Sequence, residues 1–213
     1  MKRRLWLQTV AVGGMQLLLA RALAAQTTQG VRRQQGDVRI DGKPASTEQP
    51  IQPGNTLETG KRGSAVVIAG SDAFMVRENS TVQFENADSV RLVSGGMLSV
   101  FGKRKKNGLT LRTPTLTAGI RGTGCYLQVR EQQTYICLCY GEAELVPQVA
   151  PELAKRIQTR HHETPFYISR DPQAPMRPAP MLDHTDEELI LLESLHGRRP
   201  PFLDMADYLP GRY

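Results

Sequence analysis

Three cysteines fall within fifteen residues, at Cys125, Cys137 and Cys139, and an adjacent histidine pair, His161-His162, follows about twenty residues later. In Cys137-Leu138-Cys139 the thiols are two positions apart, so on a strand both project from one face. If residues 126–130 return through a turn near Glu131-Gln132-Gln133, Cys125 lies opposite Cys137 or Cys139, with Cβ atoms within about 6 Å. Three thiolates and one imidazole make a tetrahedral set for Zn, and soft thiolates also suit Cu(I). An iron–sulfur centre or haem has less support, because the chain contains neither C-x-x-C nor C-x-x-C-H. Neighbours on a strand point to opposite faces, so only one of His161 and His162 is expected to join the cysteines. A disulfide competes with the metal and comes first, since two thiols in an oxidising compartment usually pair. Cys125 with Cys137 or Cys139 would need no cofactor, and the odd thiol would be buried or open to a bond with a second chain. A Cys–His nucleophile built from Cys125 or Cys137 with His161 or His162 is a third option. No nucleophile elbow, phosphate-binding glycine loop or paired-carboxylate signature accompanies it, so catalysis is not expected.

The elements that must hold these residues read as short strands. Residues 37–41, 81–85 and 89–93 alternate polar and apolar side chains, as half-buried strands do. Ser64–Ala69 is a continuous apolar run, expected to be a strand buried on both faces. Ser94-Gly95-Gly96 reads as a tight hairpin turn. Residues 109–113, 126–130, 134–140 and 143–146 continue the pattern. About ten short strands at roughly 8–12-residue spacing predict an all-β fold, a rolled or sandwich-like sheet over residues 36–147. Residues 148–170 are expected to add a short helix, over 151–160, and a strand. Lys103-Arg104-Lys105-Lys106 sits between Phe101-Gly102 and Asn107-Gly108, which predicts a solvated loop tip able to meet anionic headgroups or an acidic partner.

The 213 residues suffice for one core and exclude a large multidomain enzyme. Hydrophobic residues make up 39% and charges of both signs are mixed, so the chain is neither disordered nor collagenous. The formal charge of +6 loses most of its meaning once the N-terminus is set aside. Lys2-Arg3-Arg4 opens a mostly apolar stretch that ends in Ala22-Leu23-Ala24, the pattern of an export signal cleaved near Ala24. Gly13, Gly14, Gln8 and Gln16 interrupt the stretch, so a membrane anchor is not expected and the mature chain carries no transmembrane helix. Arg3-Arg4-Leu5-Trp6-Leu7 also resembles the twin-arginine export motif, which carries folded proteins. Removing residues 1–24 leaves 23 basic residues against 21 acidic ones, too even a balance for nucleic acid, and places the protein in a bacterial periplasm. Residues 25–35 read as a linker.

Within the β region, Thr113-Pro114 is followed six residues later by Ile120-Arg121-Gly122-Thr123 and then by Tyr126-Leu127-Gln128-Val129. Upstream stand Gly36-Asp37-Val38, Gly54-Asn55-Thr56-Leu57-Glu58-Thr59-Gly60 and Gly63-Ser64-Ala65-Val66-Val67; downstream stands Cys139-Tyr140-Gly141-Glu142-Ala143-Glu144-Leu145. In this order the pieces resemble the FecR-type domain over roughly residues 36–146. The resemblance implies an exported β-rich module without chemistry of its own, which binds a protein partner in the cell envelope and is linked to iron or envelope signalling. The sequence departs from the family pattern where Gly124-Cys125 stands between the threonine and the aromatic. The residues themselves predict that Gly122 and Gly124 permit a tight turn, with Arg121 bracing backbone carbonyls or binding an anion beside Thr123.

The C-terminal part is an appendage. Pro172, Pro175, Pro178 and Pro180 predict an extended, stiff connector over 171–180. Thr185 and Glu188 form a capping-box pattern that starts a helix within 181–213, and Gly197 can close it. Leu189, Leu192 and Leu195 line one stripe of that helix, and Tyr208 follows in an aromatic tail. The arm either docks on its own sheet or offers these four side chains to a partner.

Overall fold

The computed structural model describes residues 29–104 and 108–209. The expected export signal, Lys105 and Lys106 of the charged loop, and Tyr213 lie outside the described residues. Fourteen strands follow in chain order: β1 (Gly30–Gln35), β2 (Val38–Ile40), β3 (Lys43–Pro44), β4 (Thr56–Thr59), β5 (Ser64–Ala69), β6 (Asp72–Val76), β7 (Ser80–Asn86), β8 (Ser89–Val100), β9 (Leu109–Arg112), β10 (Leu116–Arg130), β11 (Gln133–Pro147), β12 (Lys155–Thr159), β13 (Phe166–Ser169) and β14 (Met176–Pro178). They form one hydrogen-bonded sheet, antiparallel except where β8 meets β9. The helix α1 (Asp186–Ser194) and a short 3-10 turn (Pro201–Asp204) complete the chain. No helix among the described residues is long and apolar enough to cross a membrane.

The all-β expectation holds, with more and longer strands than the sequence pattern gave. Residues 30–35, read as linker, pair with β5. The segment 151–160, read as helical, is a 3-10 turn at Pro151–Leu153 followed by β12. Residues 134–140 and 143–146 belong to one strand, β11. Ser94-Gly95-Gly96 is no hairpin turn but a corner inside β8. Before it β8 pairs with β7, and after it with β6. Gly95 takes φ +81°, and a Cβ there would sit 2.5 Å from the Cα of Ser80, so only glycine lets the two strands cross this closely.

Two further corners lie in line with it. β10 pairs with β9 through Thr117–Ile120 and with β8 through Gly124–Val129, and its register shifts between Arg121 and Cys125. β11 pairs with β13 near its start and with β12 beyond Gly141. The tetrad Arg121-Gly122-Thr123-Gly124 is therefore a bulge inside a strand and not a turn, and it rolls the sheet upon itself. Arg121 is exposed and makes no ion pair among the described residues.

Rolling gives the central strands two buried faces. Val67, Phe74, Met97, Leu127, Ile136 and Leu138 point into the roll. Their neighbours Val66, Ile68, Ala73, Leu98, Tyr126, Cys137 and Cys139 point outward into a second apolar cluster. That outer face is covered by the C-terminal arm, which explains why β5 and β11 read as continuous apolar runs. The proline-rich connector lies extended, with Met176–Pro178 paired as an edge strand on β13, a position that tolerates proline. The Thr185/Glu188 capping box forms as expected. Leu189 and Leu192 are wholly buried against the sheet, and Leu195 and Tyr208 pack on the same cluster. The stripe offered to a partner in the sequence reading is thus spent inside the molecule. Arg77 donates twice to Glu188, both at 2.6 Å, and Tyr140 donates to Glu193. Arg104, expected at a solvated tip, instead makes a two-pronged pair with buried Asp72 at 3.0 and 2.8 Å.

Candidate metal centre

The β10–β11 hairpin turns through two residues, Glu131 and Gln132, one fewer than the three expected. A one-residue change of register moves every side chain to the other face. Cys125 accordingly stands opposite Leu138 and points into the roll, while Cys137 and Cys139 point outward beneath the arm. All three thiols are free and fully buried. The hairpin separates Cys125 from the other two, which removes the expected intrachain bridge. Burial also leaves no thiol at the surface for a bond to a second chain. Burial pushes the Cys125 thiol well up, as suits an inert core residue.

His161 and His162 lie in a bend after β12 and not on a strand, so their rings stay on one side, 4.8 Å apart, and His162 is the one that meets the cysteines. His162 turns to the cysteines, its Nδ1 3.4 Å from Cys137 Sγ, and it holds a left-handed φ of +53° that a hydrogen bond from its N–H to the Cys139 carbonyl secures. His161 meets the same Asp186 carboxylate that holds His162, Nε2 to Oδ1 at 2.9 Å. The fourth member comes from the arm and escaped the sequence reading. His184 Nε2 lies 3.4 Å from Cys139 Sγ and 3.2 Å from His162 Nδ1, and its ring stacks on Tyr126. All four potential ligand atoms lie within 4.8 Å of one another, and all four residues are buried.

The outer partners fix the ring nitrogens. The Asp186 carboxylate only accepts, so His162 Nε2, 3.0 Å away, carries a hydrogen and Nδ1 is the ring atom aimed at the cysteines. The Leu182 carbonyl accepts from His184 Nδ1 at 2.6 Å, which leaves His184 Nε2 aimed at the same point. Orientation of imidazoles by a carboxylate and a carbonyl is the usual second layer of a metal site. The Cys137 thiol is held well below the ordinary thiol range by hydrogen bonds from Cys139, His162 and His184, although burial opposes this. Burial disfavours charge on His162 too, but hydrogen bonds to Asp186 and Cys137 raise it to about 9. Cys139 is driven the other way by burial and by the negative charge of Cys137. One thiolate is stabilised in the pocket, and a second requires a cation.

Cys137, His162 and Asp186 also reproduce the connectivity of a nucleophile, its base and an orienting carboxylate. Cys137 has no exposed surface and His162 4%, so no substrate reaches the sulfur.

Residues 55–144 match the family model described as FecR protein. No curated protein matches the sequence. Two crystal structures of a candidate anti-sigma factor from Parabacteroides distasonis ATCC 8503 are similar in fold. One shares 10% identity over 64% of this chain and 63% of that one, with a TM-score of 0.50. The other shares 9% over 65% and 64%, with a TM-score of 0.49. The likeness thus spans less than two thirds of the length of those chains. The matched stretch runs from β4 into β11, takes in all three glycine corners, and holds Cys137 and Cys139 but neither His162 nor His184. Residues 55–144 are thus similar to the FecR family, and their outer face is closed by an arm that lies beyond the matched stretch.

Proposed function

We propose that this protein is an exported, non-catalytic binding module of the bacterial cell envelope, acting in signal transduction of the FecR kind and linked to iron or envelope signalling. The similarity of residues 55–144 to the FecR family carries this reading, and the description of the structurally similar chain as a candidate anti-sigma factor agrees with it. Burial of every thiol supports the absence of thiol catalysis. The export pattern of residues 1–24 supports the periplasmic location. N-terminal sequencing of the protein recovered from the periplasmic fraction is expected to begin at Ala25 or one residue later. An uncleaved chain in the cytoplasm overturns export.

The bulge places Arg121 on a polar surface groove. A cavity of about 420 Å³ is lined by Arg121, Glu142, Glu144, Arg156 and Gln158. A neighbouring one of about 470 Å³ shares Arg121 and Glu142 and adds Lys103 and Gly122. Among the described residues Arg121 makes no ion pair, whereas Arg156 beside it pairs with Glu144, so Arg121 is the contact for an acidic group of a protein partner. With a photo-crosslinking residue at Gln158 in living cells, a discrete envelope adduct is expected that disappears in Arg121→Glu. The same probe at exposed Gln173, on the β13–β14 loop, is expected to give none. Equal adducts at both positions, or none at Gln158, count against the groove.

A further inference from the structure

We propose that Cys137, Cys139, His162 and His184 bind one zinc ion, which pins the C-terminal arm to the FecR-like sheet. Zinc takes imidazole nitrogen at about 2.0–2.1 Å and thiolate sulfur at about 2.3 Å, so a tetrahedral site has N–N edges of about 3.3 Å and S–N edges of about 3.5 Å. The protein has 3.2 Å between its two ring nitrogens and 3.4 Å for each of two sulfur–nitrogen edges. Each thiol also neighbours an imidazole, and no pair of ligand atoms is more than 4.8 Å apart. A single ion therefore fits, whereas a two-iron cluster would place the cysteine pair and the histidine pair on separate metals.

The chemistry of the donors leads the same way. With His162 Nε2 engaged by Asp186 and His184 Nδ1 by Leu182, the other nitrogen of each ring converges on the two sulfurs in the pocket. Nitrogens 3.2 Å apart need a proton or a cation between them, and with two sulfurs beside them a cation that replaces the proton satisfies all four donors together. Four protein ligands with no open position define a structural site rather than a catalytic one. Tetrahedral sulfur–nitrogen sets select zinc over the harder divalent ions.

The connectivity states what the ion does. Cys137 and Cys139 belong to β11, His162 to the loop after β12, and His184 to the residue before the N-cap of α1. β11 and the loop after β12 are already joined by backbone hydrogen bonds, whereas the arm is otherwise held by side-chain packing, side-chain hydrogen bonds and ion pairs, so the ion's added hold falls on the arm. Half the ligands lie outside the stretch that matches the family, so the clip belongs to this chain's own arm. Folded export by the twin-arginine route, which residues 3–7 resemble, would allow loading before the thiols meet an oxidant.

The test is elemental analysis of the full chain purified without chelators. About one zinc per chain is expected for the unaltered protein and for Cys125→Ser, and less than about a fifth of an atom for Cys139→Ser and for His184→Ala. Should those variants fail to fold, the unaltered protein is stripped with chelator under reductant and loaded with Co²⁺. Tetrahedral visible bands with thiolate-to-cobalt charge transfer, displaced by zinc, are the expected result. No stoichiometric metal after incubation with zinc overturns the proposal, as does an octahedral cobalt spectrum or zinc retained by Cys139→Ser/His184→Ala. Amide exchange across residues 181–208 is expected to rise at least tenfold on stripping, and unchanged exchange overturns the pinning role.

Discussion

Phe202→Ala is expected to destabilise the protein by about 3–5 kcal/mol, as truncation of a fully buried phenylalanine generally does. Phe202 has no exposed surface and is the largest apolar side chain that the 3-10 turn delivers to the outer cluster. Its ring centre lies 4.6 Å from that of His161, 5.3 Å from Tyr208 and 5.9 Å from Tyr140. Removing it opens a cavity against His161, and hence beside the Asp186 carboxylate that orients His162. The loss falls on the arm before it falls on the roll, because the inner core shares no side chain with the outer one. Thermal unfolding followed by circular dichroism checks the magnitude, and limited proteolysis checks the location. Early cleavage around the exposed Arg199, ahead of any cut within β4–β11, is the expected pattern. A melting temperature within a degree or two of the unaltered protein would mean that the arm is held by something other than its aromatic packing.

The same separation explains what could be read from the sequence and what could not. The inner strands announce themselves, because alternation in 81–85 and 89–93 reports a face turned to a core. Ser64–Ala69 reports two buried faces and so implied a cover for the outer one, without saying that the arm supplied it. The capping box of Thr185 and Glu188 is a local device, and it forms as written. The corners were misread, since Gly95 and Gly122 look the same in a turn as in a bulge within a long strand. What distinguishes them is the approach of Ser80 or Gly141 from elsewhere in the chain. The register of Cys125 turned on one residue of loop length, beyond the precision of any pattern of strands. Cys137, Cys139 and His162 were legible as candidates from their spacing. His184 was not, because 45 residues separate it from Cys139 and a proline connector hides where it lands. The remaining signal was a histidine beside the helix start, followed two residues later by Asp186.

Gly141→Ala is expected to cost roughly 2–6 kcal/mol, the sum of about 1–3 for backbone strain and about 1–3 for overpacking. Gly141 adopts φ +97°, beyond the left-handed region that asparagine or aspartate can reach. A Cβ on it would lie 2.5 Å from Thr123 Cγ2 and 2.8 Å from the Gly122 carbonyl oxygen. Thr123 is fully buried and the carbonyl belongs to the bulge, so neither can retreat without moving β10. That movement would carry the groove with it, since Arg121 and Glu142 flank the same corner. The substitution is therefore expected both to lower the melting temperature and to weaken crosslinking from Gln158. Gly119→Ala, two residues before Arg121 in β10, has open space around its Cβ and serves as the control. Gly119→Ala is expected to leave the fold unchanged, while Gly141→Ala places the loss at the corner. Equal effects from the two would mean that the bend depends on strand flexibility in general, and not on the contact between Gly141 and the bulge.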